Sequence, residues 1–223
     1  MKSDIIFIKN IDNIQHEAKS EPSIENLKYL GGMLDILKSE LKEAMESENT
    51  RAQLTTLNLQ YQFVNPETNF AEMSDEEIKS IVYRPIRICG MVRNEGQPGG
   101  GPFWVKENGK VSKQIVEKSQ IGKDGDQYRL MVQSQYFNPV LMAVSTKDIN
   151  GKKLDLKDFA DPGKYFIVEK SYQDKDIRFI ERPGLWNGSM SDWLSVFVEV
   201  PSETFTPVKT VLDLLNKSHL EQS

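Results

Sequence analysis

The chain is poor in the residues that most often announce a function. A single cysteine, Cys89, rules out an internal disulfide, and two widely separated histidines, His16 and His219, offer no zinc-binding spacing. Basic residues are outnumbered, 28 Lys and Arg against 33 Asp and Glu, for a net charge of -5. No cluster of cations interleaved with aromatics is present, which argues against a nucleic-acid partner. No apolar run approaches the roughly 18 residues of a membrane span, and no signal-peptide pattern opens the sequence, so we expect a cytoplasmic protein without a membrane partner. No internal repeat occurs, and no Gly-Lys-Ser/Thr follows the glycine-rich stretch, so there is no Walker loop. At 223 residues the chain is long enough for one large domain or two small ones.

Two segments at opposite ends carry the chemistry that is present. Ile5, Ile6, Phe7 and Ile8 form an unbroken apolar run, which predicts a strand covered on both faces, as in a parallel sheet. Asn10, Asp12 and Asn13 follow at its carboxyl end, where open α/β sheets bind ligands. Asp12 is either a magnesium carboxylate or part of an Asn/Asp turn. Near the other end, Val196, Val198 and Val200 alternate with Phe197 and Glu199, predicting a strand. Thr206 and Pro207 then read as the N-cap and first residue of a helix over Val211, Leu212, Leu214 and Leu215. That reading puts Lys209 in the first turn, either serving an anion beside unpaired N–H groups or pointing into water.

Between these ends, residues 20–83 read as helical. Ser23 is the expected cap of a helix with Leu27, Leu30, Leu34, Leu37 and Leu41 on one face, weakened by Gly31 and Gly32. That stripe is either a core face or a partner-binding surface. A second helix is expected over 51–63, and Ser74 with Glu77 forms a capping box for a third. Strands are expected over 86–92, 112–121, 140–146, 165–170 and 195–200, and Cys89 reads as a core residue. Gly96, Gly99, Gly100 and Gly101 lie in one short segment before Phe103 and Trp104. That segment is either a loop letting a sugar or phosphate approach its backbone or a plain connection. Helices followed by strands, with a buried strand first, indicate an α/β or mixed α+β layer structure.

The terminal segments also carry a family resemblance. FTPVKTVLDLL resembles the F-x-P-V-K-T…D-L-L segment of UTP-glucose-1-phosphate uridylyltransferases and is similar to the F-x-P-L-K segment of UDP-N-acetylglucosamine pyrophosphorylases. DIIFIKNIDN resembles the strand of those enzymes that ends in N-x-D-N. The resemblance implies a phosphate-contacting, catalytic role for Lys209 and a magnesium-holding role for Asp12. IVEKSQI is similar to a V-V-E-Y-S-E segment of the second group, which implies that Glu117 contacts sugar hydroxyls, although Lys118 and Gln120 depart from the pattern. YFNPV similarly nominates Asn138, where a turn role is the competing reading. Gly99, Gly100 and Gly101 would orient the sugar with them, and Asn187 and Gly188, beside Trp186, would border it. Core packing is the ordinary alternative for Trp104, Trp186 and Trp193.

A broader resemblance covers nearly the whole chain. RPIRICGMVRNEGQPGGGPFWV, SKQIVEKSQI, YFNPV, GLWNGSMSDW and FTPVKTVLDLL occur in the order seen in the C-terminal half of a bacterial domain-of-unknown-function family. The N-terminal half of that family resembles a nucleotidyltransferase with a Gly-rich T-R-M loop. The implied fold is a partial nucleotidyltransferase-like α/β domain, Rossmann-like with a mixed sheet, and a helical segment inserted after the first strand. Residues 1–223 would be a single C-terminal portion of it, lacking the Gly-rich loop half and therefore inactive alone. The implied function is sugar-1-phosphate nucleotidyl transfer with Mg2+, this chain supplying the side that binds sugar phosphate or sugar nucleotide. A separate N-terminal half would be its partner. The alternative is a non-catalytic scaffold or partner-binding fragment of the same fold.

Overall fold

The computed structural model describes residues 4–96, 99–107, 109–121, 125–185 and 188–221. In chain order the elements are β1 (Ile6–Lys9), α1 (Glu21–Glu46), α2 (Thr50–Tyr61), α3 (Asp75–Val82), β2 (Ile86–Arg93), β3 (Gly101–Glu107), β4 (Lys110–Val116), α4 (Gly125–Val132), β5 (Tyr136–Ser145), β6 (Phe166–Tyr172), β7 (Lys175–Glu181) and β8 (Leu194–Glu199). The chain divides into two compact units. One comprises Met1–Arg93, Pro139–Leu154 and Leu194–Ser223, and the other Asn94–Asn138 and Asp155–Trp193.

The first unit is built on a mixed sheet of order β1-β5-β2-β8. β1 runs antiparallel to β5, with Ile6 opposite Val144, and β2 runs parallel to β8, with Ile86 opposite Leu194. The helical segment α1 to α3 lies between β1 and β2 in the chain, as expected for a mixed α/β fold with helices inserted after the first strand. The expectation that the apolar run around Ile6 is covered on both faces is overturned. β1 is an edge strand, and Ile6 and Phe7 are 45% and 49% exposed. The central strands β2 and β5 are the ones buried along almost their whole length, Cys89 included, because each has a neighbour on both sides.

The leucine stripe of α1 is a core face, with Leu30, Leu34, Leu37 and Leu41 fully buried. Full burial of a leucine side chain contributes about 1.5–3 kcal/mol. Ser23 is not the cap. The helix begins at Glu21 with Pro22 in its first turn, and the Ser23 hydroxyl instead donates to Gln15 Oε1 at 2.7 Å. The helix runs on through Gly31, and glycine stands there for a tertiary reason: an added Cβ would lie 2.9 Å from Cζ of Phe7. The capping box at α3 is present. Ser74 N–H donates to Glu77 Oε2 at 2.8 Å, and Glu77 N–H donates to Ser74 Oγ at 3.3 Å.

The second unit holds two antiparallel hairpins, β3–β4 and β6–β7, together with α4. The strand expected over 112–121 is β4 followed by a 3-10 turn, Lys118–Gln120. β3, β7 and α4 were not expected from the sequence. Among the described residues no helix is long and apolar enough to cross a membrane.

Candidate functional site

In the first unit the two chemistry-bearing ends of the chain meet. The Val208 N–H donates to the Asp12 carbonyl at 2.7 Å, and Asn13 and Pro207 form an antiparallel bridge. Asn13, 98% buried, is the clamp: its Nδ2 donates to the Thr204 carbonyl at 2.8 Å, and its Oδ1 accepts from the Thr206 N–H at 2.9 Å. A buried amide with donor and acceptor both used holds two segments in one register, since breaking either bond strands a polar group. Asp12 sits in the turn closed by Asn13 N–H to the Asn10 carbonyl at 3.1 Å, so the turn reading is realised around it. Its half-buried carboxylate makes no hydrogen bond or ion pair among the described residues.

Lys209 does not occupy a helical first turn. The expected α-helix is a short 3-10 helix, Val211–Leu215, capped by Thr210, so Lys209 precedes it. Asp213 Oδ2 accepts from the N–H groups of Lys209 and Thr210 at 2.8 and 2.7 Å, so an internal carboxylate already satisfies these donors. Those two bonds hold the Asp213 carboxyl below the usual carboxylate range. Thr206, expected as the N-cap, instead donates its hydroxyl to the Ile14 carbonyl at 2.7 Å. The Lys209 side chain is exposed.

Lys9, at the end of β1, was overlooked as a candidate although it lies within the segment that drew attention. Its ammonium donates to Gln15 Oε1 at 3.0 Å, and burial holds it below the usual lysine range. Gln15 in turn donates to the Glu203 carbonyl at 2.8 Å. The signal available in the sequence was the cation interrupting an apolar strand immediately before Asn10.

For a magnesium ion, the donor chemistry here is one carboxylate. Among the described residues no group of three or more His, Cys, Asp or Glu could hold a metal by itself. Mg2+ is commonly held by one or two carboxylates together with substrate phosphates and water, and Asp12 fits that mode of binding.

In the second unit, Glu117 and Asn138 are brought together. Asn138 Nδ2 donates to Glu117 Oε1 at 2.7 Å, and Asn138 Oδ1 is buried with no hydrogen-bond partner among the described residues. Gly100 lies against both: an added Cβ would sit 2.9 Å from Asn138 Oδ1, 2.9 Å from the Glu117 Cα and 2.3 Å from the Val116 carbonyl oxygen. Gly99 packs on the Phe137 ring, and Gly101 opens β3 rather than lying in a loop. Glu117 caps the 3-10 turn that follows β4, its N–H donating to Gln120 Oε1 at 2.7 Å.

The same unit contains a cavity of about 850 Å3, within the usual range for small-molecule sites. Trp104, Tyr165, Gln120, Gln127, Lys164 and Gly188 are among its lining residues. Trp104 is 43% exposed and has the Lys113 ammonium 5.1 Å from its ring centroid, while Trp193 is buried. Lys164 is tied to Glu107 at 3.1 Å. Asn187 and Trp186 lie outside the described residues.

These features define a mixed-sheet α/β protein with a clamped pair of terminal segments and a second unit that carries a cavity and a carboxylate–amide pair. The chain belongs to the family described as Domain of unknown function (DUF4301), whose model matches residues 1–220. No curated protein matches it in sequence. Among solved structures it is similar to a mutant UDP-glucose pyrophosphorylase from Leishmania major in complex with UDP-glucose, at 15% identity and a TM-score of 0.36. That similarity covers 65% of this chain and 33% of the other, so the chain spans about a third of that enzyme's length.

Proposed function

We propose that this chain forms the sugar- and phosphate-binding part of a sugar-1-phosphate nucleotidyltransferase. The observation that supports this reading best is the 2.7 Å hydrogen bond from Val208 N–H to the Asp12 carbonyl, which sets the N-x-D-N and F-x-P-V-K segments side by side. In the reaction a sugar 1-phosphate oxygen attacks the α-phosphorus of a nucleoside triphosphate, and pyrophosphate leaves. Such a step asks the protein mainly for positioning and charge neutralisation. Lys209 and Lys9 are assigned to offset phosphate charge. Glu117 and Asn138, in the second unit, are assigned to sugar hydroxyls, with Asn138 Oδ1, which has no hydrogen-bond partner among the described residues, as an acceptor. Bound Mg2+, with Asp12 as its protein ligand, would supply further neutralisation of the phosphates. The place of work is assigned to the cytoplasm.

A non-catalytic scaffold is the second reading, favoured by Asp213 taking the N–H groups of Lys209 and Thr210. A thermal-shift titration with Mg2+ plus a sugar 1-phosphate or a UDP-sugar distinguishes the two. Ligand that binds only the folded state raises the melting temperature by mass action. The nucleotidyltransferase reading expects a shift that Lys209→Ala and Asp12→Ala each reduce while remaining folded. No shift from a folded sample with any of these ligands would leave the scaffold reading in its place.

A further inference from the structure

The β6–β7 hairpin presents an unpaired strand edge, that of β7, whose sequence is complementary to itself. β7 is exposed along its whole length, and Ile177, Phe179 and Ile180 are 43%, 40% and 61% exposed. A two-stranded hairpin is marginal in water, and an open apolar edge is a template for a further strand. The direction of that edge follows from the turn. Tyr172 pairs with Lys175 across a two-residue turn, Gln173 and Asp174, whose φ values of 49° and 59° are both left-handed, as in a type I′ hairpin. In such a hairpin the closing pair exchanges hydrogen bonds and the pairs alternate from there. The backbone groups of Lys175, Ile177, Phe179 and Glu181 therefore point toward β6. Those of Asp176, Arg178 and Ile180 point outward, and among the described residues no backbone hydrogen bond meets them.

We propose that β7 pairs with β7 of a second copy of this chain, antiparallel and centred on Arg178. The inference is independent of the nucleotidyltransferase reading. About that centre the outward residues meet only one another: Arg178 faces Arg178, and Asp176 faces Ile180, so all three outward backbone positions of each strand are used. The side chains agree with the same register. Lys175 falls opposite Glu181 of the other copy, twice by symmetry, and Ile177 falls opposite Phe179. The two facing arginines are each beside their own Glu169, at 3.5 Å, and diagonal to Asp176 of the other copy. The neighbouring compatible registers, centred on Ile177 and on Phe179, each lose one outward residue per strand; the first sets Lys175 against Phe179 and the second sets Ile177 against Glu181. Registers centred between residues set outward backbone groups against inward ones. The partner that fits this edge is thus the chain itself, joined in an isologous four-stranded sheet.

Sedimentation equilibrium of the full chain tests the pairing, with circular dichroism to confirm folding. The unmodified chain is expected to dimerise with rising concentration. Lys175→Glu, which sets Glu against Glu at both ends, is expected to weaken dimerisation by about tenfold or more. The double variant Lys175→Glu with Glu181→Lys is expected to restore it. In the unmodified chain, amide exchange at Asp176, Arg178 and Ile180 is expected to slow as the dimer forms. A chain that stays monomeric at its highest soluble concentration overturns the proposal. So does a dimer indifferent to Lys175→Glu, a failure of the double variant to rescue, or exchange at those three amides that does not change with concentration.

Discussion

Asn138 Nδ2 donates to Glu117 Oε1 at 2.7 Å, while the Oδ1 of the same amide is buried with no hydrogen-bond partner among the described residues. One half of the side chain is thus committed to the protein and the other is an acceptor in waiting. Asn138→Asp would set a second carboxylate against Glu117, and like charges at that distance cannot both ionise without cost. We expect a loss of about 1–3 kcal/mol at neutral pH. The carboxyl pair is raised in pKa by its own repulsion, so the loss should shrink as pH falls through that raised value and a shared proton restores the hydrogen bond. Urea denaturation of native and variant proteins across pH measures this.

Gly100→Ala should be destabilising. The added methyl would lie 2.3 Å from the Val116 carbonyl oxygen and 2.9 Å from the Glu117 Cα, both backbone atoms that no rotamer change can move aside. Overpacking of this kind costs about 1–3 kcal/mol. A lower urea midpoint with an unchanged m-value is the expected result.

Asp213 gives the carboxyl-terminal turn a pH dependence of known sign. Its folded pKa is depressed by the N–H groups of Thr210 and Lys209, so the cap is present above the ordinary carboxylate range and is lost as pH falls through the depressed value. The amide resonances of Lys209 and Thr210 should move together at that lower pH in an NMR titration. In Asp213→Asn the titrating response should vanish.

Arg87 is 98% buried, donates from Nε to Ser195 Oγ at 2.7 Å, and has no carboxylate partner among the described residues. Burial pushes its pKa down, yet a guanidinium stays charged in a protein. Replacing a buried ion pair by apolar side chains of similar volume is often neutral or stabilising by about 1–4 kcal/mol, and a buried charge without a carboxylate partner has no ion-pair attraction to lose. Arg87→Met is therefore expected to leave the urea midpoint unchanged or raise it, whereas Ser195→Ala, which removes the guanidinium's hydrogen bond, should lower it.

Legibility in the sequence tracked the range of the interactions. The leucine stripe of α1 and the Ser74–Glu77 capping box are patterns within a few residues, and both are present in the structure. β7 was missed although Ile177 and Phe179 alternate with Asp176 and Arg178, because Ile180 breaks that period after a few residues and charges flank it on both sides. Thr206–Pro207 was misread as a helix start because the partners of Thr206 are Asn13 and Ile14, at the far end of the chain. The segments of Asp12, Lys209, Glu117 and Asn138 could be picked out by their motifs. That Glu117 would hydrogen-bond Asn138, or that Asp213 would take the N–H groups of Lys209 and Thr210, could not.

By itself the sequence determined part of the local structure: the core stripe of α1, the capping box of α3, and the apolar strands β2, β5 and β8. Those depend on residue spacing and on hydrogen bonds closed within one turn. The tertiary structure alone decided that β1 lies at the sheet edge, that Asn13 clamps the two ends together, and that the outer edge of β7 has no neighbouring strand among the described residues. Each of these depends on which distant segment supplies the neighbouring backbone, and a linear pattern of side chains does not encode that choice.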